Sequence, residues 1–219
     1  GSQTNNNPPV ITNQNFSIAE NSANGTSIGT VLASDPDAGQ TLSYSIIAGN
    51  TSNAFAINSV SGNLTVNNSN ALNYENITTF GLTVRVQDNG QGNLFSQATV
   101  TVNLTNVNEN PVINNQAFTI AENSANGSSV GTVVASDPDA GQTLTYSITA
   151  GNTSNAFAIN SSTGAITVNN TAALNYESIT SFGLTVRAQD NGTGNLFSQA
   201  TVTVNLTNVN ENPVINNQA

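Results

Sequence analysis

The sequence of 219 residues contains no cysteine, histidine, methionine or tryptophan, and only two of its residues are lysine or arginine. Without cysteine the chain can form neither disulfides nor thiolate metal sites. Without histidine it lacks imidazole catalysis and histidine-based zinc or copper sites. No apolar run approaches the ~20 residues that span a bilayer. The net charge of −10 argues against nucleic acids and anionic membranes as partners.

An internal repeat dominates the sequence. The segment Asn106–Pro111 reads Asn-Val-Asn-Glu-Asn-Pro and returns at 208–213, an offset of 102 residues. We therefore predict two repeats, at residues 12–107 and 114–209, each large enough to bury its own core. A linker at residues 108–113 joins them. We interpret residues 1–11 as a cloning remnant with the end of a preceding linker, and residues 210–219 as the start of a following linker.

Hydrophobic alternation indicates that each repeat consists of β-strands. Phe80, Leu82, Val84 and Val86 alternate with glycine or polar residues, which is the period of a strand with one buried face. Turn signals separate such segments roughly every 8–12 residues. The predicted strands of repeat one cover residues 16–19, 28–33, 42–46, 55–57, 64–66, 80–87 and 98–104. The predicted fold is all-β, with two tandem seven-stranded antiparallel Greek-key β-sandwiches joined end to end.

The acidic residues occupy six positions that recur at the repeat offset. The twelve acids are Glu20, Asp35, Asp37, Glu75, Asp88 and Glu109, followed by Glu122, Asp137, Asp139, Glu177, Asp190 and Glu211. No acidic residue lies outside these positions, whereas a soluble protein normally has charges of both signs scattered over its surface. We therefore interpret these acids as ligands. Carboxylate and carbonyl oxygens without nitrogen or sulfur favour calcium over transition metals.

Strand direction predicts where these acids meet. Successive strands run up and down, so the turns that carry the acids alternate between the two ends of each sandwich. The acids predicted to meet at the junction between the repeats are Glu20, Glu75, Glu109, Asp137, Asp139 and Asp190. Asparagine and backbone carbonyl oxygens join them. Because one calcium takes six to eight oxygens, we expect two or three calcium ions at the junction.

Five motifs, in order and in both repeats, resemble those of cadherin repeats. They are Ala19-Glu20-Asn21 after the first strand, the D-x-D motifs Asp35-Pro36-Asp37 and Asp137-Pro138-Asp139, the L-D-R-E-like Leu72–Glu75 and Leu174–Glu177, the A-x-D-x-G-like Val86–Gly90 and Ala188–Gly192, and the linker Asn106–Asn110. The resemblance covers nearly the whole chain. The near-identical copies look most like the cadherin-like arrays of large bacterial surface proteins.

The resemblance implies a set of calcium ligands. From repeat one they are Glu20 and Glu75; from the linker, the Val107 carbonyl, the Asn108 side chain, Glu109 and the Asn110 carbonyl; from repeat two, Asp137, Asp139 and Asp190. Two half-sites face neighbouring repeats: Asp35, Asp37 and Asp88 on one side, and Glu122, Glu177 and Glu211 on the other. Asn73 and Asn106 stand where the family has Asp, so we expect weak sites, with Kd of about 10⁻⁴–10⁻³ M.

The function expected from these residues is a calcium-rigidified adhesion or spacer segment of an extracellular, secreted or cell-surface protein, and not an enzyme. Its partners would be neighbouring repeats of the same chain, with no nucleic acid and no direct membrane insertion. Two alternatives stay open. One is a carbohydrate- or matrix-binding module whose partner is a polysaccharide or another surface protein. The other is calcium-dependent homophilic adhesion, in which the chain binds itself.

Overall fold

The described residues form two compact units, which divide between residues 107 and 108. They are seen in a computed structural model that describes residues 5–217. Within those residues there is no helix long and apolar enough to cross a membrane. Strands and short turns account for the regular structure of both units.

The first unit contains seven strands in two sheets. The strands are β1 (Gln14–Ala19), β2 (Ser27–Thr30), β3 (Ser43–Ala48), β4 (Phe55–Ile57), β5 (Asn63–Val66), β6 (Thr79–Gln87) and β7 (Phe95–Thr105), with 3-10 turns at Thr51–Asn53 and Ser69–Ala71. One sheet has the order β1-β7-β6-β3 and the other β2-β5-β4. Before β1, an isolated bridge pairs Val10 with Ser34.

The second unit repeats this arrangement. Its strands are β8 (Val112–Ile113), β9 (Gln116–Ala121), β10 (Ser129–Thr132), β11 (Ala135–Ser136), β12 (Thr145–Ala150), β13 (Phe157–Ile159), β14 (Ala165–Val168), β15 (Ser181–Gln189) and β16 (Phe197–Thr207), with 3-10 turns at Thr153–Asn155 and Thr171–Ala173. The large sheets are β12-β15-β16-β9 and β10-β14-β13. The pair β8–β11 is the counterpart of the isolated bridge in the first unit.

Each core lies between its two sheets. In β6, the alternating residues Phe80 and Leu82 are at most 2% exposed, and each such burial contributes about 1.5–3 kcal/mol. Phe80 meets Phe55 of the facing sheet edge-to-face, with ring centroids 4.9 Å apart. The second unit repeats this contact between Phe157 and Phe182 at 5.0 Å. The alternation seen in the sequence therefore forms the inner faces of two sandwiches.

The predicted all-β sandwich fold is confirmed, with two differences in detail. The pairs β1–β7 and β9–β16 are parallel, because the first and last of seven up-and-down strands run in the same direction. The second predicted strand, 28–33, was too long. Strand β2 ends at Thr30, and Leu32 is 71% exposed. The Gln14 side chain takes the place of a strand partner there, through bonds to the Leu32 N–H and C=O, both 2.9 Å long.

Candidate metal sites

The loops that follow β11 and β15 bring three aspartates of the second unit together with the linker. Asp139 and Asp190 are 5% and 4% exposed. The Glu109 backbone N–H donates to Asp139 Oδ2 at 2.8 Å, and the Asn108 side-chain amide donates to Asp190 Oδ2 at 3.1 Å. Asp137 joins them through Oδ1, which accepts the Asp139 backbone N–H at 2.9 Å. Four of the predicted ligand side chains, those of Asn108, Asp137, Asp139 and Asp190, therefore form one cluster at the N-terminal end of this unit, and the Glu109 backbone is bonded to it.

The Asp137 carboxylate is incompletely satisfied in this cluster. Its Oδ2 atom is buried and has no hydrogen-bond partner. Burial raises the pKa of Asp137 above its ordinary value of 3.8; the bond from the Asp139 N–H opposes the shift, and the charges of Asp139 and Asp190 add to it. A buried oxygen of this kind is unfavourable unless a donor or cation reaches it. The residues present thus fit a hard cation with oxygen ligands, which is the coordination that calcium prefers.

The first unit carries the equivalent cluster at its own N-terminal end. Asp37 Oδ2 accepts the Asn7 backbone N–H at 2.6 Å, and Asp88 Oδ2 accepts the Asn6 side-chain amide at 3.1 Å. Asp35 Oδ1 accepts the Asp37 N–H at 2.7 Å, an Asx turn, while Asp35 Oδ2 is buried without a partner. Asn7 occupies the position that Glu109 has in the second unit. The first unit therefore has no carboxylate at this position.

The glutamates at the C-terminal end of the first unit have a different environment. Glu20 is 2% exposed. Its Oε2 accepts the Tyr74 backbone N–H and its Oε1 accepts the Val107 backbone N–H, both at 2.8 Å. One carboxylate oxygen of Glu75 lies within 4.8 Å of one of Glu20. Glu20 therefore ties the end of β1 to the Glu75 turn and to the start of the linker.

The C-terminal end of the second unit gathers three glutamates. One carboxylate oxygen from each of Glu122, Glu177 and Glu211 lies within 4.8 Å of the other two. Glu122 accepts the backbone N–H groups of Val209 at 2.7 Å and of Tyr176 at 2.8 Å. These two bonds lower the pKa of Glu122 below its ordinary value of 4.5, and the bond from Val209 has the larger effect. Burial opposes this shift, and a hydrogen bond with Glu177 adds to it. Two like charges at 4 Å repel by roughly 4 kcal/mol at an effective dielectric of about 20, so a cation would stabilise this group.

The predicted ligands thus fall into groups at the unit ends. Asp35, Asp37 and Asp88 lie together, as do Asn108, Asp137, Asp139 and Asp190. The Glu109 backbone is bonded to Asp139, and Glu20 lies beside Glu75 and Val107. The Val107 N–H is bonded to Glu20, and Asn110 is exposed. Sequence reasoning missed two features, the backbone bonds of Glu20 and Glu122 and the packing of Gln40 and Gln142 against the aspartate loops. The one sequence feature that could have indicated the glutamine contacts is that a glutamine directly follows Gly39 in the first repeat and Gly141 in the second.

The combination of tandem β-sandwiches and acid-bearing loops at their ends defines an extracellular repeat module. The family model described as cadherin domain matches residues 14–105 and 116–207. The chain therefore belongs to the cadherin family. Cadherin domains are extracellular adhesion modules rather than enzymes, and in general they bind calcium at the junctions between repeats.

Individual relatives agree with this assignment. The chain is 39% identical to human Cadherin-23 over 174 residues, which cover 76% of this chain and 5% of the relative. It is 34% identical to human Protocadherin Fat 1, over 98% of this chain and 5% of the relative. It is also 34% identical to the protocadherin-like wing polarity protein stan of Drosophila melanogaster, over 89% of this chain and 6% of the relative. The chain thus spans only a small part of these relatives. They are animal proteins, so the expected bacterial source gains no support from them.

Solved structures show the same fold. The crystal structure of mouse Cadherin-23 EC22-24 matches with a TM-score of 0.66 and 29% identity, over 93% of this chain and 65% of that chain. The cis-dimer structure of protocadherin gammaB7 EC3-6 matches with a TM-score of 0.62 and 27% identity, over 93% of this chain and 52% of that chain. Both similarities extend over the two units.

Proposed function

We propose that this chain is a calcium-stiffened spacer and adhesion segment of an extracellular protein, with calcium held between its repeats. The observation that carries the proposal is the buried, unpartnered Oδ2 of Asp137 beside Asp139 and Asp190. A calcium ion would supply the missing partner. The carboxylates and the Asn108 oxygen offer hard ligands of the type that calcium takes.

The linker connects two ligand groups through adjacent residues. Val107 is bonded to Glu20 in the first unit, and Asn108 is bonded to Asp190 in the second. We propose that residues 108–113 form a calcium-binding linker between repeats at 12–107 and 114–209. In this proposal, Glu20, Glu75, Glu109 and the aspartates of the second unit share two or three ions. Residues 1–11 and 210–219 would belong to the preceding and following linkers.

The proposed mechanism is electrostatic. Six carboxylates assigned to one junction repel each other in the absence of a cation. Calcium offsets this charge and requires ligands from both repeats, so a bound ion restricts the hinge at the linker. Because Asn73 and Asn106 keep an oxygen but lack a charge, the ions should bind weakly and respond to millimolar calcium.

Small-angle X-ray scattering of the whole chain in EDTA and then in millimolar calcium tests this proposal. We expect calcium to increase the maximum dimension and reduce flexibility, and we expect the double variant Asp137→Asn/Asp139→Asn to lose the response. The matched control Asp35→Asn/Asp37→Asn changes the equivalent pair away from the linker and should keep the response. A wild-type profile unchanged by calcium would contradict the stiffening mechanism.

Calcium-dependent self-association is a second candidate, because one of the similar structures is a cis-dimer. Sedimentation velocity in calcium and in EDTA tests it, and a monomer at both conditions up to high concentration would exclude it. A polysaccharide or another surface protein as the partner stays a prediction. Glycan-array binding that persists in the Asp137→Asn/Asp139→Asn variant would favour that alternative.

A further inference from the structure

Four side-chain oxygens are buried without a hydrogen-bond partner among residues 5–217, and all four lie at the N-terminal ends of the units. They are Asp35 Oδ2 and Gln40 Oε1 in the first unit, and Asp137 Oδ2 and Gln142 Oε1 in the second. The aspartates are already assigned as ligands. The glutamines are not part of any ligand motif identified in the sequence, yet they recur at the same position with the same unsatisfied oxygen.

Gln142 lies inside the ligand cluster of the second unit. Its Nε2 donates to Asn108 Oδ1 at 2.5 Å. The Asn108 amide in turn donates to Asp190 Oδ2 at 3.1 Å and to the Thr193 carbonyl at 2.8 Å. Gln142 therefore holds a linker side chain, that of Asn108, which also contacts Asp190 of the cluster.

Gly192 provides the space for this arrangement. A Cβ atom at this position would clash with Asn108 Oδ1 and with Gln142 Nε2. The glycine of the A-x-D-x-G-like motif thus lets the Gln142 and Asn108 side chains pass over the backbone. A side chain at this position would displace one of them.

The first unit repeats the geometry next to a cavity. Gln40 Nε2 donates to Asn6 Oδ1 at 2.7 Å, and a Cβ at Gly90 would clash with both side chains. A cavity of about 400 Å³ opens at this place, and Asn6, Asp37, Gln40 and Gly90 are among the residues that line it. The Gln40 side chain and a predicted carboxylate ligand therefore face the same space.

We propose that Gln142 and Gln40 each supply a neutral oxygen ligand, Oε1, to a calcium ion at the N-terminal end of their repeat. This inference rests on the proposed calcium-binding function. Amide oxygens are ordinary calcium ligands, and a neutral oxygen raises the ligand number without adding to the repulsion among the aspartates. The Nε2 group at the same time holds Asn108, or Asn6, in position.

Calcium titration calorimetry on the whole chain tests this role with two variants. Gln142→Leu removes both the oxygen and the amide donor, and we expect about tenfold weaker binding at the junction. Gln142→Glu keeps an oxygen at the ligand position and removes only the donor to Asn108, so a ligand role predicts a clearly smaller loss of affinity than in Gln142→Leu. If Gln142 only positions Asn108, the Glu variant should instead lose as much affinity as the Leu variant.

Controls separate this inference from the function on which it rests. Gln199→Leu changes an exposed glutamine whose Nε2 contacts Thr149 Oγ1, and it should bind calcium as the wild type does. Thermal melting in EDTA verifies that each variant is folded. Absence of calcium binding in the wild type would overturn the proposed function and this inference together. Wild-type affinity in Gln142→Leu, or a loss in Gln142→Glu as large as that in Gln142→Leu, would overturn the ligand role alone.

Discussion

The two ends of each repeat carry carboxylates in opposite environments. At the C-terminal ends, Glu20 and Glu122 each accept two backbone N–H groups at 2.7–2.8 Å. At the N-terminal ends, Asp35 and Asp137 each keep one oxygen buried without a partner. Both ends are acidic, but among residues 5–217 only the N-terminal ends keep a carboxylate oxygen that is buried without a donor.

The pKa shifts express the same difference. Backbone hydrogen bonds lower the pKa of Glu122, whereas burial raises the pKa of Asp137. The fold therefore favours the charged form of Glu122 and disfavours the charged form of Asp137. From this comparison we infer that the C-terminal glutamates are structural anchors with or without calcium, and that the N-terminal aspartates depend on a cation.

The largest effect should follow from removing an anchor. Glu20→Ala leaves the part-buried N–H groups of Tyr74 and Val107 without their acceptor, and an unsatisfied donor costs up to about 1–3 kcal/mol. We expect repeat one to lose roughly 2–4 kcal/mol of unfolding free energy in EDTA, measured by urea denaturation. The exposed Glu75 is the matched control, and Glu75→Ala should change stability by less than about 1 kcal/mol. Equal effects for the two variants would show that the backbone bonds of Glu20 do not make it a structural anchor.

A smaller effect should appear in the pH dependence of the anchor. Because the pKa of Glu122 is lowered in the fold, its stabilising contribution is present above about 4.5 and is lost as the pH falls through the folded pKa. Glu122→Gln should therefore melt at a lower temperature than the wild type at pH 7, and the difference should shrink below about pH 4.5. Calorimetric scans in EDTA from pH 7 to pH 3 measure this. A difference that persists unchanged at pH 3 would show that the charge on Glu122 is irrelevant.

The smallest effect, and one of opposite sign, is expected at an N-terminal aspartate. The raised pKa of Asp137 means that its ionisation costs stability as the pH rises through the folded pKa, above 3.8. Asp137→Asn should therefore raise the Tm in EDTA at pH 7. After allowance for solvent screening we expect a few tenths of a kcal/mol, or roughly 1–3 °C. In calcium the order should reverse, with the wild type melting higher. A lower Tm for the variant in EDTA would mean that Asp137 also stabilises the ion-free fold.

Much of the fold follows from local patterns in the sequence. The alternation of Phe80, Leu82, Val84 and Val86 predicted a strand with one buried face, and that strand is β6. The end of β2 was missed for a physical reason. Leu32 continues the apolar pattern, but the Gln14 side chain bonds to its N–H and C=O in place of a neighbouring strand. A side chain that replaces a strand in this way has no signature in hydrophobic periodicity.

In the candidate sites, too, local features could be predicted from the sequence, whereas contacts between distant residues could not. The D-x-D spacing and the repeat offset predicted that Asp137 and Asp139 lie together, because an Asx turn between them is a local feature. The bond from Val107 N–H to Glu20 joins residues 87 positions apart, and the one from Gln142 to Asn108 joins residues 34 apart. Contacts of this kind depend on how the loops pack and not on neighbouring residues, so the sequence alone gave no reason to expect them.

A crystal structure of the whole chain, grown in millimolar calcium, would show directly whether a cation occupies the N-terminal aspartate cluster. We predict an ion bound to Asp137 Oδ2 and Gln142 Oε1 at about 2.3–2.6 Å, with Glu122 still bonded to the Val209 and Tyr176 N–H groups. An ion-free cluster at that calcium concentration, with Asp137 Oδ2 satisfied by water or by a protein donor, would contradict the account.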